Sequence, residues 1–257
     1  MQDAARNRFD RIADNYANSE VHASSPTLQQ LSELVGDRTD LEVCDVGCAA
    51  GHTAFVFAGR ARTVVGVDPS PTMLGNFRTL ARSKGLEVEA VEAFAESIPL
   101  ASDRFDYVTC RLASHHFSDI DAAMAELRRI TKPGGRVVII DLHGDDDPEL
   151  DGLNHQLEVL HDPTHVRSYT IARWRELFGR AGLEIVHLER DVSERPSGVP
   201  LSRWCEIASS GAAAHAALVT LLEHTDPARH EAIGVRRGPS EYMVPVRTCI
   251  IMGEKPR

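Results

Sequence analysis

Two acids, two glycines and a pair of histidines stand where they could do chemistry. Asp45 precedes Gly47 and Gly51 in "VCDVGCAAG" at the end of one apolar run, Asp68 closes the next in "GVDPS", and His115 and His116 follow another in "RLASHHFSD". Glycine lacks a Cβ, so the chain can turn tightly at Gly47 and Gly51 and a ligand can approach the backbone. Helix-opening N–H groups after such a turn favour an anion. Two carboxylates beside the loop nevertheless oppose a pyrophosphate and suit a ligand carrying an ammonium or sulfonium group. Asp68, at a strand end, is placed to hold the vicinal hydroxyls of a ribose, although either acid could instead cap a following helix. The spacing is GxxxG, with Ala49 where a GxGxxG pattern has its second glycine, and by itself it also fits a plain strand-to-helix turn. A positioned histidine or carboxylate removes a proton near neutral pH. His115, His116 and Asp141, which ends "RVVIID", are therefore candidate bases.

A second cluster lies in "HDPTHVR" (161–167). His161 and His165 are four apart, a spacing that could bind a metal on a helix, but Pro163 argues for a turn and no third ligand is evident, so no metal site is expected. The segment reads as a lid in which His165 and Arg167 face a substrate, Arg167 suiting a carboxylate or other anionic group. A solvated surface is the alternative. Trp174, Phe178, Trp204 and Tyr242 could line an apolar pocket or pack in the core.

The elements that must carry these residues follow from hydrophobic periodicity. "LEVCDVG" (41–47), "TVVGVD" (63–68), "LEVEAVEA" (86–93), "FDYVTCR" (105–111) and "RVVIIDL" (136–142) read as strands, with helical patterns between them. That alternation implies βαβ units, a parallel sheet and helices on both faces. In the helix before the fifth strand, Ser118 can cap, Asp119 and Asp121 suit the positive end, and Ile120, Met124, Leu127 and Ile130 share a face; "KPGG" (132–135) stops it. From about 143 the chain turns acidic and His-rich, as an insertion would. A helix, a strand at 183–190, more helix near 201–224 and a last strand across "YMVPVRTCIIM" (242–252) follow.

With 257 residues, 42% of them apolar, the chain can bury one substantial core plus an insertion. Its formal charge of -10 argues against a nonspecific nucleic-acid binder, which needs a basic face. No apolar run is long enough to span a membrane, and the charged N-terminal segment does not read as a signal peptide, so a soluble cytoplasmic protein is expected. Five cysteines, an odd number, suit reduced thiols. Oligomeric state is not legible.

Taken in order, "VCDVGCAAGHTA", "VVGVDPSPTML", "EAFAESIPLASDRFDYVTCR", "HHFSD" and "LRRITKPGGRVVIID" resemble the class I S-adenosylmethionine-dependent methyltransferases, within them the small-molecule group similar to ubiquinone and menaquinone methyltransferases. The resemblance implies an α/β, Rossmann-like, seven-stranded and mostly parallel sheet whose last strand is antiparallel, with a helical lid insertion. It divides a single domain, 1–257, into an N-terminal helical cover (1–36), a cofactor-binding core (37–142), a lid (143–182) and C-terminal strands and helices (183–257). It implies that S-adenosyl-L-methionine binds with Asp45, Gly47, Cys48 and Gly51 around its methionine part, Asp68 on the ribose, and Pro69 and Met73 against the adenine. Ala95 and Glu96 would lie near the adenine amino group, where the family usually has an acid at the position of Phe94. Arg111 would offer its carbonyl, and Tyr16 would close over the cofactor from the N-terminal helix. It favours His116 as the base nearest the transferred methyl, with Asp141 orienting it or acting itself. The reaction implied is methyl transfer to an O, N or C atom of a small, partly apolar acceptor. A nicotinamide-type oxidoreductase, which shares the strand, turn and acid, is the alternative enzyme; a cofactor-binding module without transfer is the alternative outside enzymes.

Overall fold

The inner strands of the central sheet alternate two apolar sets, and that alternation decides the architecture. The computed structural model describes residues 2–17 and 24–257, with the side chains of the first helix described over 5–13. Helices α1 (Gln2–Ala17) and α2 (Pro26–Val35) precede β1 (Leu41–Val46), β2 (Ala61–Asp68), α3 (Pro71–Ser83), β3 (Glu89–Glu92) and β4 (Phe105–Arg111). Then come α4 (Ile120–Ile130), β5 (Thr131–Leu142), α5 (Pro148–His161), α6 (Ile171–Arg180) and β6 (Glu184–Ser193). A C-terminal stretch adds β7 (Val199–Pro200), α7 (Leu201–Ile207), α8 (Gly211–Glu223), α9 (Pro227–Ala232), β8 (Arg236–Arg237), β9 (Tyr242–Val244) and β10 (Arg247–Glu254).

The seven-stranded sheet has the order β3-β2-β1-β4-β5-β10-β6. Its first five strands are parallel, and β10 pairs antiparallel with both β5 and β6. Val137 and Ile139 of β5, with Cys249 and Ile251 of β10, face α4 and α6, while Val138, Ile140, Ile250 and Met252 face α2. Strands buried on both faces need such continuous apolar runs. Each Val, Ile and Met among these side chains contributes roughly 1.5–3 kcal/mol on burial. Because β1 leads outward to β2 while β4 returns to its other side, the order reverses between β1 and β4, and a crevice opens at their carboxyl ends.

Four local expectations change. The β1–β2 connection contains only a 3-10 turn, Ala54–Phe57, in place of a helix. Asp119, not Ser118, caps α4 by accepting from Ala122 N, because Ser118 is turned toward Glu96. The helix does end at Ile130, yet "KPGG" forms a bulge inside β5: Phe105 pairs with Thr131 and Tyr107 with Arg136. The last apolar run is two strands, since Pro245 has no N–H for a ladder; β9 joins a small sheet, β7-β9-β8, and β10 joins the large one.

That small sheet shares a separate apolar core with α5, α7 and α8, through Leu153, Leu157, Trp204, Leu218, Leu222 and Tyr242. This cap covers the carboxyl ends of β4 and β5. By contrast α6, within the 143–182 stretch, packs Trp174, Leu177 and Phe178 into the core of the main sheet.

Candidate active site

The crevice at the β1/β4 switch holds a cavity of about 980 Å³ including its mouth and the open space before it. Gly47, Cys48, Asp68, Pro69, Met73, Ala95, Glu96, Arg111 and His116 line it, as do Phe94 and, from α1, Ala5 and Phe9. Gly47 has φ +70, and a Cβ there would come within 2.5 Å of the Ala113 Cβ, so the tight turn after β1 requires glycine.

Gly51 does something else. It does not line the cavity, and a Cβ would meet the Phe77 ring at 2.3 Å, so its missing side chain serves packing beneath the loop and not the approach of a ligand. Asp45 also stays behind the lining. It is 2% exposed and its Oδ1 accepts from Thr109 Oγ1 at 2.7 Å. Burial pushes its carboxyl up to about 7, against the hydrogen bond from Thr109 and the charge of Arg111. Asp68 accepts from Ala49 N and Ser70 N, each at 2.9 Å, which ties the glycine loop to the end of β2. Burial raises it to about 6, with those backbone bonds opposing.

Other cavity residues are fastened by their own partners. Glu96 Oε1 accepts from Ser118 N and Oγ at 2.9 Å, holding the start of α4. The Arg111 side chain is buried, donating to Thr27 Oγ1 at 3.1 Å and Ser25 Oγ at 3.0 Å beside Glu194. Tyr16 lies in α1, but its side chain is outside the described residues. Asp10 of the same helix accepts from Ser70 Oγ at 2.5 Å, and Arg8 donates to Ala208 O at 2.5 Å and pairs with Asp162 at 3.0 Å. These contacts seat α1 across the crevice.

A second cavity, about 710 Å³ including its mouth, adjoins the first. Leu112 and His116 line both. His115, Glu158, His161, Asp162, His165 and Trp204 complete its chemically distinctive wall. Asp141 pairs with His115, not with His116: Nδ1–H of His115 donates to Asp141 Oδ1 at 2.5 Å, while Ser114 Oγ and His115 N donate to Oδ2. Burial lowers the affinity of His115 for a proton, but the charge and hydrogen bond of Asp141 prevail and raise it above the ordinary value. Asp141 is correspondingly low, its burial overcome by His115. His116 behaves oppositely. Its Nδ1–H donates to Thr164 O at 3.1 Å, and burial plus the neighbouring His115 push it down to about 4, a neutral ring with Nε2 free of a proton.

His165 lines the second cavity, but Arg167 does not; its guanidinium pairs with Asp151. Arg167 therefore does not face the space that the lid reading expected it to face. The strap is fixed by Val166 N donating to His115 O at 2.8 Å. Trp204 lines the second cavity, whereas Trp174 and Phe178 are core and Tyr242 packs in the cap. Among the described residues no three His, Cys, Asp or Glu side chains are arranged to hold a metal ion, and no helix is long and apolar enough to cross a membrane. Sequence reasoning missed Phe9, Glu158 and Asp162. A signal existed for Asp162, which stands between His161 and His165 in the segment already singled out for chemistry.

Comparison with known proteins supplies the context. Residues 44–139 match the family model described as "Methyltransferase domain". The chain is 32% identical over 223 residues to the uncharacterized methyltransferase YcgJ of Bacillus subtilis, covering 86% of this chain and 87% of that one. The crystal structure of YcgJ superposes with a TM-score of 0.81 at 28% identity, over 90% of this chain and 98% of the other. A malonyl-[acyl-carrier protein] O-methyltransferase of Pseudescherichia vulneris is 30% identical, over 71% of this chain and 72% of its own. A geranyl diphosphate C-methyltransferase from Streptomyces coelicolor, solved with S-adenosyl-L-homocysteine, shares the fold at a TM-score of 0.60 and 12% identity, over 89% of this chain and 77% of that one.

Proposed function

Since this chain belongs to the class I methyltransferases, we propose that it moves a methyl group from S-adenosyl-L-methionine to an O, N or C atom of a small, partly apolar acceptor in the cytoplasm. The observation that carries this reading is the junction of the two cavities at Leu112 and His116. One cavity has the features of a donor site and opens onto a second, differently lined space.

The first cavity suits the donor on chemical grounds. Asp68 retains acceptor capacity beyond its two backbone bonds, which the hydroxyls of a ribose can use. Buried Asp45 and Asp68 are both raised toward neutrality, the condition that a cationic ligand relieves. Gly47 and Cys48 would hold the methionine part, while Pro69, Met73 and Phe94 offer apolar surface to the adenine. When bound, S-adenosyl-L-methionine supplies a methyl on a positive sulfur, already activated for displacement. The protein's remaining tasks are alignment, exclusion of water and, for a protonated nucleophile, removal of a proton. Phe9 of α1, 4.9 Å between ring centroids from His116, walls the junction against solvent. His115, held by Asp141, is the stronger base; neutral His116 is placed to position the acceptor at the junction.

Family membership sets aside the nicotinamide oxidoreductase, and the intact His115–Asp141 pair weighs against a module without transfer. Calorimetry tests the donor: S-adenosyl-L-methionine and S-adenosyl-L-homocysteine should bind in the micromolar range and NAD should not. Tight binding of NAD with neither sulfur compound bound would overturn the reading.

A further inference from the structure

The charges around the second cavity are masked by partners. Asp141 lies behind His115, whose Nδ1–H donates to it at 2.5 Å, and Asp162 is matched by Arg8 at 3.0 Å. Arg167, which could have met an anion, is bound to Asp151 and does not line the space. Glu158 is buried among these groups, where burial raises it to about 7 despite the attraction of His115. A carboxylate or phosphate entering here finds no unpaired cation among the described lining residues, while an ammonium finds Asp162 paired with Arg8 and Asp141 screened behind His115, leaving Glu158 alone. This pairing favours a neutral ligand over an anion.

Two further features define it. Leu112, Leu142, Val199, Trp204, Ile207 and Pro245 give the cavity an apolar wall, and the Trp204 indole is layered with the His161 ring at 3.7 Å and 4°, a flat boundary suited to a flat guest. Against this wall stand polar atoms without partners: His161 Nδ1 and His165 Nε2 are buried and make no hydrogen bond within the protein, and His165 is only 6% exposed. Buried polar atoms of this kind call for a ligand or water to satisfy them. His115 uses Nδ1 on Asp141, so Nε2 is its remaining nitrogen for a guest.

We propose that the second cavity is the acceptor site and that it selects a neutral, flat molecule presenting an ionisable hydroxyl, a phenol or an enol, to Nε2 of His115. This rests on the methyl-donor reading of the first cavity. A His–Asp pair is useful where the nucleophile must lose a proton, and a second polar group on the guest satisfies His161 and His165. The hydroxyl proton passes to His115 Nε2, and an oxygen lone pair forms the new O–C bond. The S–C bond breaks with its electron pair left on sulfur, which becomes a neutral thioether, while Asp141 stabilises the imidazolium.

The test uses 4-nitrophenol, coloured as phenolate and colourless as phenol, with 4-nitrobenzoate and 4-nitrobenzylamine as anionic and cationic controls, all added to the full chain with S-adenosyl-L-homocysteine. The wild type should bind 4-nitrophenol saturably and in preference to both controls. Its bound phenolate-to-phenol ratio should be about tenfold that of the free probe, equivalent to one pKa unit. His115→Gln should keep binding and lose the colour shift; Asp141→Asn should reduce it. The groups that face His115 are Asp141 from β5, Glu158, His161 and Asp162 from α5 and its end, and His116 and His165, so titration is followed in both variants. Preference for the benzoate or the amine, or a shift unchanged in His115→Gln, overturns the proposal, and the wild-type comparison stands even if a variant fails to fold. Absence of S-adenosyl-L-homocysteine binding, measured separately by calorimetry, identifies failure of the donor reading instead.

Discussion

At the scale of residues, His115 and His116 are chain neighbours with opposed basicity because only His115 reaches Asp141, while His116 is spent on Thr164 and shares the burial without the counter-charge. The acids of the first cavity lead to a pH prediction. Asp45 at about 7 and Asp68 at about 6 bind protons that a cationic ligand must displace, so binding favours their ionised forms and strengthens as pH rises through that window. Affinity for S-adenosyl-L-methionine should fall by about tenfold or more between pH 7.5 and 5.5, roughly one pKa unit's worth of coupling. Calorimetry in buffers of differing ionisation heat should register proton release. Asp68→Ala should weaken binding and flatten the lower part of this dependence; unchanged affinity would remove Asp68 from the site. The residue types and most positions were legible, since a turn glycine and strand-end acids are local features. That Asp45 sits behind the wall and Gly51 beneath Phe77 was not, because both depend on what packs there.

Elements were legible where periodicity alone specifies them. The alternating sets of β5 and β10 and the amphipathic face of α4 depend on nearest neighbours in sequence. The single run at 242–252 misled because its apolar character is continuous across Pro245, while its hydrogen bonds go to two different sheets. Gly253 of β10 offers a test of how α6 meets the sheet. A Cβ there would meet the Phe178 ring at 2.6 Å and Leu183 at 3.1 Å. Gly253→Ala should destabilise the fold by about 1–3 kcal/mol through overpacking, read by denaturant unfolding, with cofactor affinity unchanged. A neutral effect would mean that α6 has room to move.

For the whole molecule, buried titratable groups oppose one another. His116, His161 and His165 are depressed by burial to about 4, 3 and 2, below the ordinary 6.5, so the unfolded chain binds more protons and they cost stability as pH falls below 6.5. Asp45, Asp68 and Glu158 are raised by burial to about 7, 6 and 7, so the folded chain binds more protons and they cost stability as pH rises from about 4 to 7. The two sets offset between pH 4.5 and 6. Below about 4 the histidines act alone and lowered Asp141 and Asp162 add to the loss. Thermal unfolding should therefore be nearly level from pH 4.5 to 6 and drop steeply under 4; a steady decline from neutrality would refute the balance. From the sequence by itself came the sheet-and-helix alternation, the turn after β1 and the acid ending β2, because propensity, periodicity and strand ends are local. Only tertiary structure decided that Asp141 serves His115, that Arg167 is spent on Asp151, and that Trp204 and Pro245 close a second cavity over β4. Those pairings join residues distant in sequence, and which distant groups meet is set by how the cap packs on the sheet.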